Sequence, residues 1–246
     1  MPPILNIAGY RFVGLDNLPA LRRQLFAACS RHGLRGTILL ATEGINLFLA
    51  GAAESIARFR RELDADSRLV AMDFKESWSD EIPFRRLKVR IKDEIIALGR
   101  PEIDPARDPA PAIEPELLKS WLDTRRQVLL LDTRNGFEVE NGTFAGAVHL
   151  GNDSFREFAI AARHLPHGGD DIAIVTFCTG GIRCEKAAPL LRGLGHRNVF
   201  QLSGGILRYF EKVGHDHYNG ECFVFDERIA VDADLRPLVT QNPVQL

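Results

Sequence analysis

The sequence predicts two α/β units in series: an N-terminal α+β split β-α-β unit and a C-terminal α/β unit with a parallel sheet. Three observations predict it. Residues 1–98 alternate apolar strands with amphipathic helices in the order β-α-β-β-α-β. Five prolines (Pro101, Pro105, Pro109, Pro111, Pro115) then crowd one short stretch, which reads as an extended, semi-rigid linker or, alternatively, as a long ordered crossover packed on the surface; either marks a boundary. Beyond it, short β-branched runs alternate with helical patterns, the mark of a parallel sheet. The expected boundaries are 1–98, a linker over 99–115, and 116–246.

In the first unit, Ile4 to Phe12 reads as a strand. Leu18 to His32 reads as a helix with Leu18, Leu21, Leu25 and Ala28 on one face and Gly33 as its stop. Gly36 to Ala41 and Ile45 to Ala50 are strands joined by the turn Thr42-Glu43-Gly44. Ala53 to Leu63 is a helix with Ile56, Phe59 and Leu63 inward. Leu69 to Phe74 and Phe84 to Ile91 are further strands. This order predicts a ferredoxin-like, or acylphosphatase-like, sandwich.

The last of these strands has an unusual surface. Arg86, Lys88, Arg90 and Lys92 alternate with Leu87, Val89 and Ile91, so the cations share one face. Four like charges repel unless an anion lies alongside, and a phosphate backbone fits. The other reading is a solvated face salted by Asp73, Glu76, Asp80 or Glu81. Net charge is +3 over residues 1–98 and −5 over the rest, −2 in all, so a general polyanion binder is excluded and any RNA contact is local. Glu43 and Asn46, beside a glycine turn, are candidates for polar contact with RNA or with the second unit; the alternative is a turn stabilised by its own glycine.

In the second unit, Glu116 to Asp123 reads as a helix. Val128 to Leu131 is a strand ending in Asp132-Thr133-Arg134. Ala147 to Leu150 is a strand, Phe155 to His164 a helix, and Ile172 to Phe177 a buried strand. Glu185 to Leu194 is a helix stopped by Gly195. Asn198 to Leu202 is a strand, followed by Ser203-Gly204-Gly205 and a helix from Ile206 to Lys212 with Ser203 as its N-cap.

Between Phe177 and Glu185 the chain reads Cys178-Thr179-Gly180-Gly181-Ile182-Arg183-Cys184. Loop amides and a helix N-terminus at the end of a strand favour a thiolate, the reactive form of cysteine. Cys178 is therefore the candidate nucleophile, cradled by Thr179, Gly180, Gly181, Ile182 and Arg183. Arg183 has two readings: it binds an anionic substrate, or it ties the loop to its own carbonyls. Cys184 is either a resolving thiol or a packing residue, and Cys29 and Cys222 read as inert.

Composition fits a cytoplasmic enzyme. No window approaches a membrane span, and the N-terminus lacks the basic start and apolar stretch of a signal peptide. Four scattered cysteines make no disulfide framework, and without a Cys-x-x-Cys pair or a His-rich cluster no metal site is expected.

The loop resembles the active-site loop of rhodanese-like domains, with four residues between Cys178 and Arg183. Related phosphatases use one more. Leu-Leu-Leu-Asp132-Thr133-Arg134, Glu138, Gly142 to Ala147 and Ser203-Gly204-Gly205-Ile206 extend that resemblance over the second unit. In that family the Asp, Arg and Glu brace loops. Three segments in order, Ala41 to Asn46, Cys178 to Lys186 and Phe223-Val224-Phe225-Asp226-Glu227-Arg228, resemble the rhodanese-domain tRNA uridine hydroxylases. The resemblance implies hydroxylation at C5 of the anticodon wobble uridine. It also implies molecular oxygen as co-substrate, no tightly bound cofactor, and the tRNA anticodon loop, rather than DNA or a membrane, as partner. Against the long members of that family, the sequence reads as a short form without their cysteine-rich C-terminal tail. Two chemical routes stay open: thiolate addition to C6 of the base, or oxygen delivery from an oxidised Cys178. The alternative functions are a sulfurtransferase carrying a Cys178 persulfide and a non-catalytic binding module. Asp226, Glu227 and Arg228 either pin the C-terminal segment or line the site. The sequence says nothing of oligomeric state.

Overall fold

The computed structural model describes residues 3–166 and 172–237; residues 238–246 of the expected C-terminal extension lie outside them. The N-terminal unit runs β1 (Ile4–Phe12), α1 (Leu18–Arg31), β2 (Arg35–Ala41), β3 (Gly44–Ala52), α2 (Ala53–Leu63), β4 (Phe74–Ser79) and β5 (Leu87–Ile91). Its sheet has the order β4-β1-β3-β2-β5. The first four strands pair antiparallel as a split β-α-β unit, and β5 is parallel to β2.

Period-two alternation sorts the two faces of this sheet. Leu5, Ile7, Ile38, Leu40, Ile45, Leu47, Leu49 and Val89 are buried in one core with Leu21 and Leu25 of α1 and Ile56, Phe59 and Leu63 of α2. Each such side chain contributes roughly 1.5–3 kcal/mol. A one-residue slip would expose the whole set, so register is fixed by this face. The opposite face carries neither helix. Registered across it are Lys88, Thr37, Phe48, Ala8 and Lys75, and one step along, Arg90, Leu39, Asn46 and Tyr10.

The fourth strand lies later than expected. Leu69 to Ala71 form a turn: Leu69 N–H bonds to the Asp66 carbonyl, Ala71 has φ +55°, and the Arg11 guanidinium donates to the carbonyls of Arg68 and Val70. The true strand, Phe-Lys-Glu-Ser-Trp-Ser, is an edge strand with polar residues on both faces. Its alternation is therefore hard to see. The basic strand is also shorter than expected, starting at Leu87.

The proline-rich stretch is docked rather than free. Ile96, Leu98, Ile103 and Ala110 pack into a core of the second unit. Ala112–Ile113 forms a strand, β6, beside the last strand of that unit's sheet. Then follow α3 (Pro115–Asp123), β7 (Val128–Asp132), α4 (Gly136–Val139), β8 (Gly142–Phe144), β9 (Val148–His149), α5 (Phe155–Ala161), β10 (Ala173–Phe177), α6 (Ile182–Gly193), β11 (Val199–Leu202), α7 (Gly205–Val213), β12 (Tyr218–Gly220), β13 (Cys222–Phe223) and β14 (Ala230–Val231). The five-stranded sheet has the order β6-β11-β10-β7-β9 and is parallel throughout. Short antiparallel pairs join β12 to β8 and β13 to β14. Beyond α5, Ala162–His164 is a 3-10 turn, so the expected longer helix changes type there. No helix of the described residues is long and apolar enough to cross a membrane.

The two units grip each other through polar contacts. Lys186 Nζ lies 2.7 Å from carboxylates of both Glu43 and Glu94, and donates to the Ile96 carbonyl at 3.1 Å. Arg228 donates to Ser77 Oγ at 2.7 Å, and Arg85 pairs with Glu227 at 2.8 Å. The helix-free face of the first sheet thus looks onto the second unit.

Candidate active site

β10 is buried along its whole length and ends at Phe177, delivering Cys178 to the carboxyl edge of the parallel sheet. The chain then turns through Gly181, whose φ of +96° is strained for any side chain, and α6 starts at Ile182. That is three residues earlier than the apolar pattern suggests, because Cys184 N–H already bonds to the Gly181 carbonyl. Arg183 and Cys184 therefore belong to the first helical turn. Gly181 N–H donates to Cys178 Sγ at 3.1 Å.

The Gly204-Gly205 turn supports this loop from outside. Ile206 N–H donates to the Cys178 carbonyl at 2.9 Å and Leu207 N–H to the Thr179 carbonyl at 3.0 Å. Gly204, with φ +67°, is the N-cap of α7, so Ser203 is not; Ser203 N–H bonds instead to Ile113. A Cβ on Gly205 would stand 2.4 Å from the Cys178 carbonyl oxygen, and its φ is also +67°. Gly205→Ala is therefore expected to cost about 1–3 kcal/mol in strain alone, a fall of roughly 2–12 °C in Tm for a chain of this size. It should also slow alkylation of Cys178 at neutral pH. Calorimetry and iodoacetamide kinetics check this, and wild-type values in both would contradict the tight fit.

Arg183 does not reach its own loop's carbonyls. Its guanidinium forks onto Glu138 of α4, at 2.8 and 3.1 Å, with both groups buried. Asp132 and Arg134 form a second, fully buried pair at 2.7 Å, and Arg134 also donates to the Gly142 carbonyl at 2.6 Å. Thr133 Oγ1 donates to the Phe177 carbonyl at 3.0 Å. The first of these contacts fastens the loop to α4, and the others brace the end of β7 against β8 and the end of β10.

Burial pushes the Cys178 thiol up, but other groups outweigh it. These are the adjoining Cys184 thiol, the Arg183 charge, and the backbone N–H groups of Arg183 and Gly181; together they bring Cys178 down to about 6. Cys184 moves the other way, raised by burial and by its hydrogen bond to Cys178, and stays a neutral donor. Burial, above all, pushes Cys29 and Cys222 up to about 12, as suits inert thiols. These neighbours thus favour the thiolate form of Cys178.

Cys178 lines a cavity of about 560 Å³ between the two units. From the first unit, Tyr10, Phe48, Lys75 and Lys92 line it; from the second, Arg183 and Phe225. Tyr10 Oη donates to Glu185 Oε1 at 3.0 Å, and Glu185 Oε2 accepts from Gln201 at 3.0 Å. Burial first, then the charges of Glu185 and Cys178, keep the Tyr10 phenol protonated. The Arg183 guanidinium lies 5.5 Å over the Phe225 ring. Tyr10, Phe48 and Lys75 were not legible as site residues, because alternation along a strand does not say which face meets the other unit. Phe225 belongs to the Phe223 to Arg228 segment, where its sequence context gives it no role of its own.

The other candidates are placed as follows. Arg86, Arg90 and Lys92 are exposed and Lys88 half-buried; Lys88 and Arg90 lie on the helix-free face of β5, Lys92 follows the strand and lines the cavity, and Arg86 precedes the strand. Asp73 pairs with Lys75 and Arg208, and Glu76 with Arg60, so neither salts the basic strand. Glu43 contacts the second unit through Lys186 and accepts from Ile95 N–H at 2.7 Å. Asn46 is buried and donates to the Ile95 carbonyl at 3.2 Å. Asp226 and Arg228 pair with each other, pin the C-terminal segment to Ser77, and line the cavity. Among the described residues no cluster of three or more His, Cys, Asp or Glu is arranged to hold a metal ion.

Two family models match the chain, one in each unit. Residues 4–95 match the UPF0176 acylphosphatase like domain and residues 114–212 the rhodanese-like domain. The chain is 50% identical to a tRNA uridine(34) hydroxylase of Bordetella petrii over 96% of both chains. It is 52% identical to one of Ralstonia nicotianae, over 95% of this chain and 85% of that one. The solved rhodanese-like domain of an Anabaena protein is 24% identical over 45% of this chain and 79% of its own, with a TM-score of 0.37.

Proposed function

The chain belongs to the tRNA uridine(34) hydroxylases, and on that premise we propose that it hydroxylates C5 of the wobble uridine with Cys178 as its nucleophile. The observation that carries the role of Cys178 is its depressed thiol at the wall of the interdomain cavity, with Gly181 N–H on its sulfur. C5 of a conjugated uracil is a poor nucleophile. Addition of the thiolate to C6 forms an S–C6 bond and moves the C5=C6 electron pair onto C5 and O4. C5 then attacks oxygen. One atom of molecular oxygen stays on C5 as the hydroxyl. The other leaves as water, with two electrons and two protons from an external reductant. Loss of the C5 proton re-forms the double bond and expels the thiolate.

This chain's residues serve those steps. The loop amides and Arg183 hold Cys178 as thiolate. The cavity shields the adduct from water, and the cations of β5 give the RNA backbone a place to lie. The target base must be unpaired, as anticodon-loop bases are.

Nucleoside mass spectrometry on tRNA tests the reading. In a bacterium lacking wobble-uridine hydroxylation, wild type should produce 5-hydroxyuridine and Cys178→Ala none. Product from the variant would remove Cys178 from the chemistry. An anticodon stem–loop carrying 5-fluorouridine at the wobble position should trap a covalent adduct, since fluorine cannot leave C5 as a cation as the proton does. Turnover without any adduct would favour oxygen delivery from an oxidised sulfur instead.

A further inference from the structure

We propose that the helix-free face of the N-terminal sheet is a second nucleobase subsite, where Phe48 stacks an unpaired base next to the target uridine. The inference rests on the reading of this chain as an enzyme acting on the anticodon loop.

Strand register places the parts. One row across the sheet runs Arg90, Leu39, Asn46, Tyr10. Tyr10 ends that row at the catalytic loop: its hydroxyl lies 3.0 Å from where a Gly181 Cβ would be. The next row, two residues along each strand and so about 7 Å away, runs Lys88, Thr37, Phe48, Ala8, Lys75. A base beside Cys178 and Tyr10 therefore has its neighbour over the Phe48 row.

Phe48 suits that neighbour. It stands on the central strand, half-buried, and lines the same cavity as Cys178. Its flanking residues in the row, Thr37 and Ala8, are smaller than the ring. Aromatic side chains on an open sheet face stack unpaired RNA bases irrespective of sequence.

Charge on the same face fits the backbone of that strand. Lys88, Arg90 and Lys92 lie along the β5 edge, and none forms an ion pair with another described residue. Lys92 also lines the cavity. Cations at the edge and a stacking ring at the centre match a single strand whose phosphates track the edge while its bases point inward. A duplex offers no such bases, and the cavity is continuous with the catalytic loop. The occupant is therefore the nucleotide adjoining the target in the unpaired loop.

The test uses the full chain and three anticodon stem–loop RNAs: one intact, one abasic at the nucleotide 5′ of the wobble uridine and one abasic at the nucleotide 3′ of it. Binding is read by fluorescence anisotropy and turnover by nucleoside mass spectrometry. For wild type, one of the two abasic RNAs should bind roughly tenfold more weakly. Phe48→Ala should lose the same factor on intact RNA and nothing further on that abasic RNA, whereas Phe48→Tyr keeps wild-type binding. Calorimetry on both variants checks that each is folded at the assay temperature. Equal binding of intact and abasic RNAs, wild-type binding by Phe48→Ala, or losses that multiply would each overturn the subsite. A protein that shows the binding pattern and yields no hydroxylated product fails the functional reading and not this one.

Discussion

Replacing Lys186 by methionine is expected to destabilise the protein by about 3–5 kcal/mol, the usual cost of removing one partner from a buried ion pair. Nζ of Lys186 is essentially inaccessible and is shared by Glu43 and Glu94 across the boundary between the units. Methionine matches the aliphatic stem and deletes only the charge, which leaves two carboxylates facing each other with no cation between them. The damage spreads through what those carboxylates hold: Glu43 accepts Ile95 N–H, and Glu94 accepts Leu98 and Gly99 N–H. Calorimetry should show Tm lower by roughly 6–20 °C. Adding Glu94→Gln to the variant should recover part of the loss, because it relieves the like-charge contact.

The same brace has a pH signature. Burial pushes the Glu94 carboxyl up, but the Lys186 hydrogen bond and the two backbone N–H groups outweigh it and hold the carboxyl below its ordinary value. A depressed carboxyl contributes stability that is present above its unfolded pKa, about 4.3, and is lost as pH falls through the lower folded value. Part of the wild-type acid destabilisation therefore belongs to Glu94, and Lys186→Met should flatten that part. An unchanged Tm, or an unchanged acid limb, would show that the units are held together elsewhere.

What could be read from sequence follows from the range of each interaction. The thiolate loop was legible because its parts are contiguous: a buried β-branched strand, a glycine turn and a helix pattern within some twenty residues. The cations of β5 were legible because alternation is local. β4 was misplaced because Lys75, Ser77, Glu76 and Trp78 give an edge strand without a clean apolar face. The partner of Arg183 was invisible because Glu138 lies 45 residues away and only the fold brings them together. Tyr10 failed for the same reason, its contact with Glu185 spanning 175 positions. Glu43 was read as facing RNA or the second unit, and the choice between them depended on Lys186, whose position no local pattern fixes. In each case the missing information was which surface meets which, a property of packing between units rather than of either unit.

Arg183 and Glu138 are expected to move the reactivity of Cys178 in opposite directions. The Arg183 guanidinium helps depress the Cys178 thiol, while the Glu138 carboxylate, forked onto the same guanidinium, offsets part of its field. Arg183→Met removes the cation, so the midpoint of the alkylation rate against pH should rise from about 6 toward the ordinary cysteine range. At pH 7 the thiolate then becomes the minor form, and hydroxylation should fall more than tenfold once loop distortion is added. Glu138→Gln keeps shape and one hydrogen-bond acceptor but removes the offsetting charge, so the midpoint should drop below its wild-type value. Both variants leave a buried charge without its partner, and each should lose about 3–5 kcal/mol of stability. Stability thus falls in both, whereas the alkylation midpoint separates them. A purely structural role for the pair would lower Tm in both variants and shift the midpoint in the same direction. Opposite shifts would establish that the field of this pair, and not the tightness of the loop alone, holds Cys178 as a thiolate.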